Sequence, residues 1–225
     1  MIKKLLLLLQ FISGISASSV SQAAWFDSII YDMDADQNFI ARRVLNNTGS
    51  SKLYNVSAVR IDKPGVGGEN ASPLQQGELL YAPLKFFLEK NQSEFFKIYY
   101  KGPQDDRERY YRISYSETPL NLVHKPDAKQ AFLPQPVISM STILIVRPRK
   151  INLSWHLDEQ KGVLMNNGNT YFTVLIHKGC EANDNSATRI NLLPGEHFSS
   201  HKLKDINKKF IVGLKKYMRL GKGCF

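Results

Sequence analysis

Short β-type segments follow one another along almost the whole chain, and they constrain the fold more than any other feature of the sequence. Each is rich in Ile, Val, Tyr or Phe, and turn residues such as the NNTG sequence at 46–49 and the NNG sequence at 166–168 separate them. Short strands at this spacing, with no long helical period, predict an all-β sandwich fold. The predicted strands are 38–45, 52–61, 79–88, 94–101, 109–115, 137–146, 151–157, 162–165 and 170–177.

The chain is long enough for two such sandwiches. Its 225 residues, less a short N-terminal segment described next, would suit two seven-stranded sandwiches. The boundary is predicted at Arg147-Pro148-Arg149, because Pro148 has no N–H to donate to a strand ladder and ends the preceding strand. The sequence therefore predicts an N-terminal domain over 24–147 and a C-terminal domain over 148–225.

Residues 1–23 have the layout of a secretory signal peptide. Lys3 and Lys4 precede an apolar stretch over 5–17, and Ser21 and Ala23 form a small-x-small cleavage site. A membrane anchor is the other interpretation, but polar and glycine interruptions leave the apolar stretch too short to span a bilayer comfortably. We therefore expect an exported protein, in an oxidising compartment, with no stable membrane insertion.

The two cysteines, Cys180 and Cys224, are predicted to form a disulfide, since an exported protein folds in an oxidising environment. Closing a loop of about 45 residues would stabilise the fold by roughly 4 kcal/mol in the chain-entropy model. A metal site is the competing interpretation, because His177 lies close to Cys180 and His197 lies close to His201. A disulfide would remove the thiolate that such a site needs, so we expect no metal and no cofactor.

The stretch 116–136 is predicted to be a long mobile loop, because it holds four prolines and little apolar periodicity. Loops of this length inside a compact domain are usually functional or disordered. It leads into 137–146, the most strand-like run of the chain, in which Ile138 and Met140 share one side. A long loop before such a strand would offer a sheet edge to another chain. An ordinary edge strand is the other interpretation.

Six segments, taken in order, resemble the periplasmic pilus chaperones of the chaperone–usher pathway, and most closely the chaperones of the common pilus. They span nearly the whole chain behind the predicted signal peptide. No single motif is specific, and the ordered set carries the resemblance. The segments are GELLYAP at 77–83, YYKGP at 99–103, RERYYR at 107–112, TILIVRPR at 142–149, NGN at 167–169 and KGC at 178–180.

The resemblance implies two immunoglobulin-like β-sandwich domains set at an angle, with a cleft between them. It also implies a periplasmic chaperone that stabilises pilin subunits without ATP and delivers them to an outer-membrane usher. Pilins of these systems lack their last strand, and the chaperone lends its own, here 137–146, in donor-strand complementation. Ile138 and Met140, with Thr142 as a third, would fill the pilin groove, and Phe132 would join them if the loop orders on binding. The exposed strand also allows self-association of the unloaded protein.

Chaperones of this family anchor the C-terminal carboxylate of the pilin with an Arg of the first strand and a Lys of the donor strand. This sequence departs from that pattern, because residues 25–37 contain no Arg or Lys and the lysine position falls near Thr142 or Ile143. Arg112 and Arg149 are the candidate anchors, since Arg binds a carboxylate bidentately. An inter-domain ion pair is the other interpretation of both arginines.

Arg147 matches the family arginine that makes an inter-domain ion pair. Glu108 and Asp205 are its candidate partners in this sequence. The resemblance thus implies an ion pair between the two domains.

Other functional classes fit the sequence less well. No GxSxG, HExxH or Walker motif occurs, and Asp105, Asp106 and Glu108 adjoin arginines on a turn, so we expect no enzyme. An exported structural pilus subunit or adhesin is the alternative, although it would be a single incomplete sandwich. The net charge of +10 and the basic segment 208–222 raise the possibility of a nucleic-acid-binding protein. The segment contains no recognised nucleic-acid-binding module, however. We predict that segment to be a solvated face and expect no nucleic-acid partner.

Overall fold

The structure is a computed structural model that describes residues 24–65, 69–119 and 137–224. The predicted signal peptide at 1–23, Phe132 and the rest of 120–136 lie outside these ranges. Within them the chain is all-β, as predicted, and its helical residues form single 3-10 turns at Asp184–Ser186 and His201–Leu203. No helix in these ranges is both long enough and apolar enough to cross a membrane.

The first half of the chain forms two sheets around one core. The strands are β1 (Trp25–Phe26), β2 (Ile30–Met33), β3 (Phe39–Leu45), β4 (Lys52–Ile61), β5 (Ala71–Ser72), β6 (Leu79–Ala82), β7 (Lys85–Leu88), β8 (Ser93–Tyr100), β9 (Arg109–Pro119) and β10 (Ile138–Val146). One sheet has the order β1-β3-β8-β6, and the other has the order β2-β10-β9-β4-β5 with β7 paired to β4. Along β8, Phe96 and Ile98 are buried while Phe95 and Tyr99 are exposed. This alternation places one face of each sheet on the core.

The second half forms a second sandwich. Its strands are β11 (Trp155–Asp158), β12 (Val163–Asn166), β13 (Phe172–Ile176), β14 (Thr188–Leu192), β15 (His197–Ser199), β16 (Lys209–Gly213) and β17 (Lys216–Arg219). Their orders are β11-β12-β15 in one sheet and β14-β13-β16-β17 in the other. Leu164, Phe172 and Ile211 are fully buried between these sheets. The second half therefore has a core of its own.

The two sandwiches meet through a small apolar cluster. Ile61, Tyr110 and Ile145 of the first half pack with Leu193 of the second. Among the described residues, the strand pairings stay within 25–146 or within 155–219. We therefore propose that the boundary after Arg147 separates a first domain, 24–147, from a second domain, 148–225.

Several predicted strand bounds differ from the observed ones. The predicted strand 79–88 is two strands, β6 and β7, with a cis peptide bond between Ala82 and Pro83. Strand β9 continues through 116–119, so these residues do not belong to the predicted loop. The sequence did not predict this part of the strand because its buried side is polar. Glu117 is buried there, and its carboxylate lies 2.8 Å from the Lys52 ammonium. The predicted strand 151–157 begins at Trp155.

Strands β14 to β17 were absent from the sequence prediction, and one basic residue among them is not solvated. Lys209 is buried, and its ammonium donates to the carbonyls of Leu203 at 2.8 Å and Asp205 at 2.9 Å. Burial lowers the pKa of Lys209. The prediction of a solvated face over 208–222 is therefore wrong for this residue, because backbone carbonyls satisfy its donors inside the domain.

The predicted disulfide between Cys180 and Cys224 is present. It joins the segment after β13 to the C-terminal end of the second domain. The His177 imidazole of the competing metal interpretation is buried, and its Nε2 lies 2.8 Å from an Asp184 carboxylate oxygen. Over 24–65, 69–119 and 137–224, no group of three or more His, Cys, Asp or Glu residues is placed to hold a metal ion.

Candidate functional site at the free edge of strand β10

Strand β10 has one neighbour along its first part and two along its second. Antiparallel pairing with β9 runs from Ile138 to Val146, whereas parallel pairing with β2 begins at Ile143. In the described part of the chain, the second edge of 138–142 therefore has no strand beside it. The N–H and C=O groups on such an edge are available to pair with another chain. We call 138–142 the free edge.

The path of the N-terminal segment leaves this edge uncovered. Strand β1 pairs with β3 in one sheet, and the chain then crosses to the other sheet, where β2 pairs with β10. The Ile143 N–H donates to the Ile29 carbonyl at 2.9 Å. Because the crossing segment reaches β10 only there, the strand is paired on both sides from Ile143 onward and, within the described ranges, on one side before it.

The side chains of the free edge become progressively more buried along the strand. Ile138 and Met140 are half-buried, and Met140 packs against the core of the first domain. Thr142 is fully buried and lies near the hydroxyls of Tyr31 and Tyr115. The structure thus leaves Ile138 and Met140 with exposed apolar area, and it leaves Thr142 none for contact with a partner.

A cleft of about 680 Å³ adjoins the end of the free edge and lies between the two domains. Ser141 and Ile143 of β10 line it together with Ile29 from the first domain. Tyr171 and Leu193 line it from the second domain. A chain paired with the free edge and continuing past Thr142 would therefore run into a cleft whose walls are partly apolar.

Arg112 is the predicted anchor that lies in this cleft. It stands on β9 directly opposite Ile143, and its side chain is about a third exposed. Its Nε donates to Glu69 Oε2 at 2.5 Å, and its Nη2 donates to Glu69 Oε1. Its Nη1 donates to the Ser141 hydroxyl on the free edge. These hydrogen bonds hold the pKa of the Glu69 carboxyl below its usual value.

Arg149 lies elsewhere, so the structure does not bring the two predicted anchors together. Its guanidinium donates to the carbonyls of Ala35 at 2.5 Å and Gln37 at 2.8 Å, and to Asn38 Oδ1 at 2.5 Å. It is not among the residues that line the cleft. The prediction of Arg149 as an anchor has no geometric support, because its donors are used to hold the turn after β2.

Comparisons with known proteins decide the family. No protein-family profile matches the sequence. Over 209 residues, however, the chain is 34% identical to the probable fimbrial chaperone EcpE of Escherichia coli strain K12. The matched region covers 92% of this chain and 88% of EcpE. This chain belongs to the fimbrial chaperone family. The family expected from the sequence is confirmed.

Solved structures of fimbrial chaperones have the same fold as this one. The class 5 fimbriae chaperone CfaA is matched with a TM-score of 0.56 at 17% identity, over 88% of this chain and 93% of CfaA. A chain of the solved complex of CsuC with the tip adhesion subunit CsuE, from Acinetobacter baumannii, is matched with a TM-score of 0.54 at 15% identity. The match covers 91% of this chain and 100% of the matched chain in the complex. The prediction of two immunoglobulin-like sandwiches is confirmed.

A buried ion-pair cluster joins the two domains of this fimbrial chaperone. Arg147 Nη1 lies 3.1 Å from Glu108 Oε2, and both side chains are almost fully buried. Glu108 also accepts hydrogen bonds from the Thr170 hydroxyl at 2.5 Å and the Tyr171 N–H at 3.0 Å. Despite these donors, burial raises the pKa of the Glu108 carboxyl. One carboxylate thus holds the last residue of the first domain and the backbone of the second.

The second acidic partner of Arg147 is Asp32, not the predicted Asp205. Arg147 Nη2 lies 3.0 Å from Asp32 Oδ1 on β2, and the guanidinium stacks over the Tyr171 ring with its carbon 4.0 Å from the ring centroid. The backbone carbonyl of Asp205 instead accepts a hydrogen bond from the Lys209 ammonium. Asp32 reaches Arg147 because β2 runs parallel to β10 and ends beside it.

Two acidic residues of this fimbrial chaperone were therefore missed by the sequence analysis. Glu69 lies 43 positions from Arg112 along the chain, in a segment with no recognisable pattern. Asp32 stands in a four-residue strand that the sequence analysis did not predict. Charged side chains that pair across the fold leave no local period, so no signal in the sequence could have singled out either residue.

Proposed function

We propose that this fimbrial chaperone binds pilin subunits by donor-strand complementation in the periplasm and delivers them to an outer-membrane usher. The observation that carries the proposal is the free edge at 138–142, in a chain of this family. The solved complex of CsuC with a tip adhesion subunit supports a subunit of the fimbria as the partner. The action is binding and not catalysis. We also propose that residues 1–23 direct export.

The free edge would supply the strand that a pilin lacks. Its main-chain N–H and C=O groups would form a ladder with the pilin, and its side chains would enter the open pilin core. Ile138 and Met140 would each contribute about 1.5–3 kcal/mol when fully buried. The structural pilus subunit remains the weaker alternative, since a pilin would need an open core and both sandwiches here are closed around buried residues.

Amide hydrogen exchange on a captured complex tests the strand donation. The protein is co-expressed in the periplasm with the pilin subunits encoded beside its gene, and the complex is purified through a tag on the chaperone. We expect a one-to-one complex in which the outward amides of 138–142 exchange much more slowly than in the free protein. Amides of 143–146, where β10 is already paired with β2 on one side and β9 on the other, are the internal control. A complex without protection at 138–142 would show that another surface binds the pilin.

The cleft supplies the proposed anchor for the pilin C-terminal carboxylate. Arg112 presents two N–H donors in the fork geometry that carboxylates match, and the cleft walls exclude part of the solvent. Ser141, which stands on the free edge, contacts the same guanidinium. A pilin strand that ran along the edge would thus bring its terminus to Arg112.

Replacing Arg112 by Ala is expected to weaken pilin binding, since hydrogen bonds to a charged group contribute about 1.5–3 kcal/mol, or roughly 10- to 150-fold in Kd. Arg149→Ala is the matched control, because it removes the same charge outside the cleft. The share of pilin captured by each variant in competition with wild type gives the measurement. A larger loss for Arg149→Ala than for Arg112→Ala would overturn this assignment.

A further inference from the structure

The proposed carboxylate anchor already holds a carboxylate of this chain. Glu69 accepts from two nitrogens of Arg112, one through each of its oxygens. The Glu69 side chain is 16% exposed and that of Arg112 is 31% exposed, so the pair lies partly shielded in the cleft wall. This bidentate pairing is the arrangement that a C-terminal carboxylate would adopt on the same guanidinium.

We propose that Glu69 is an internal competitor that occupies Arg112 in the unloaded chaperone and must be displaced by the terminal carboxylate of the pilin. This inference rests on the proposed function and names a residue that sets its affinity. Glu69 already accepts from Nε and Nη2 of Arg112, and Ser141 accepts from Nη1, so an incoming carboxylate that binds bidentately through Nε and Nη2 must displace Glu69. Glu69 thereby tunes how tightly a free carboxyl terminus is held.

The charges around the cleft support displacement. Lys63 also lines the cleft, and its ammonium lies 3.6 Å from a carboxylate oxygen of Glu196. The two cations, Arg112 and Lys63, are thus matched by the two carboxylates, Glu69 and Glu196. An incoming carboxylate adds a negative charge to a balanced site. Glu69 therefore has to leave the guanidinium for the incoming carboxylate to take its place.

Lys63 is the other cation that lines the cleft. Its side chain is about half exposed, and it stands in the same segment as Gly65, whose N–H lies 3.4 Å from Glu69 Oε1. Asn70, next to Glu69, is held by hydrogen bonds from its N–H and side-chain amide to Asp62 at 2.9 and 2.6 Å. The backbone on the C-terminal side of Glu69 is therefore held in place, and rotation of the Glu69 side chain is the simplest exchange.

The size of the effect on carboxylate binding depends on the fraction of molecules in which Arg112 is free of Glu69. If Arg112 is free of Glu69 in about one molecule in ten, the apparent Kd for a carboxylate is weakened about tenfold. Glu69→Gln keeps the shape of the side chain and removes its charge. We therefore expect Glu69→Gln to bind a carboxylate about tenfold more tightly than wild type does.

The first test uses a probe that needs no pilin. An N-acetylated alanine tripeptide with a free carboxyl terminus is titrated into wild type and Glu69→Gln, and the Arg112 Nε–H signal is followed by NMR. The same peptide with a C-terminal amide is the ligand control, and Glu89→Gln, a charge change at an exposed position away from the cleft, is the protein control. We expect a response at about tenfold lower concentration in Glu69→Gln, and none with the amide.

Equal titration curves for wild type and Glu69→Gln, or no Arg112 response in either, would overturn the inference. If Glu69→Gln does not fold, Glu69→Asp serves in its place. The shorter side chain keeps the charge but reaches Arg112 poorly, so tighter peptide binding than in wild type is again expected, and unchanged binding overturns the inference.

A second arm separates this inference from the proposed function. Wild type and Glu69→Gln, carrying different tags, are co-expressed with a limiting amount of pilin, and the pilin bound to each is compared. An excess on Glu69→Gln supports the inference, and equal shares overturn it while the chaperone function stands. If neither protein captures a pilin, the proposed function fails, and the peptide titration alone decides whether Glu69 competes for Arg112.

Discussion

Replacing Ile138 and Met140 together by Asp is expected to abolish pilin capture. Each side chain would lose about 1.5–3 kcal/mol of apolar burial, so the pair weakens binding by roughly two to four powers of ten. The carboxylates would also have to enter the apolar groove of the pilin, which costs further free energy. Periplasmic co-expression with pilin and recovery of the complex through a tag on the chaperone measure the loss.

The control for this variant introduces the same two Asp residues at other exposed apolar positions. Phe39→Asp with Leu80→Asp places two carboxylates on exposed apolar residues of the other sheet of the first domain, and we expect it to capture pilin normally. Because Met140 also packs against the domain core, urea unfolding of each purified variant accompanies the capture. Full capture by a folded Ile138→Asp, Met140→Asp variant would show that these side chains do not enter the pilin.

Replacing Arg147 by Ala is expected to destabilise the protein far more than removal of an exposed charge does. It would leave Glu108, whose side chain is 1% exposed, without its cationic partner between the domains. Removing one partner of a buried ion pair typically costs about 3–5 kcal/mol, because the other charge stays buried and unpaired. Urea unfolding of the purified protein, followed by tryptophan fluorescence, measures the change in the free energy of unfolding.

A double-mutant cycle separates the charge from the packing. Adding Glu108→Gln to Arg147→Ala removes the orphaned charge, so the double variant is expected to recover part of the lost stability. Lys215→Ala breaks another ion pair between the domains, that with Asp34, and should change stability little because Lys215 is exposed. If the urea concentration at the midpoint of unfolding is the same for Arg147→Ala as for wild type, the buried cluster does not hold the domains together.

Much of the fold was predictable because strands leave a local signal. Strand β8 is rich in Phe and Tyr, β10 alternates Ile138 and Met140 with serines before an Ile- and Leu-rich run, and turn residues separate the strands, so strand positions follow from neighbours in the sequence. The pairing of Cys180 with Cys224 followed from the expected compartment. Strands with polar residues on their buried side gave no such signal. The end of β9 was missed for this reason, because Glu117 is buried there against Lys52.

The candidate site was predictable only in part. The sequence placed Ile138 and Met140 on one side of a strand, and it singled out Arg112 as a cation near that strand. It also singled out Arg149, which the structure uses to hold the turn after β2. A guanidinium binds whichever acceptors the fold brings within reach, so an arginine in the sequence does not reveal its partner.

The sequence by itself determined the all-β class, the strand at 137–146, the disulfide and the family, since each depends on local patterns or on an ordered set of motifs. The tertiary structure alone decided that β2 joins β10 only from Ile143 onward, which leaves 138–142 without a second strand among the residues that the structure describes. It alone placed Asp32 on Arg147 and Glu69 on Arg112. These contacts join residues far apart in the chain, and their energy depends on distance and burial, which exist only once the sheets have formed.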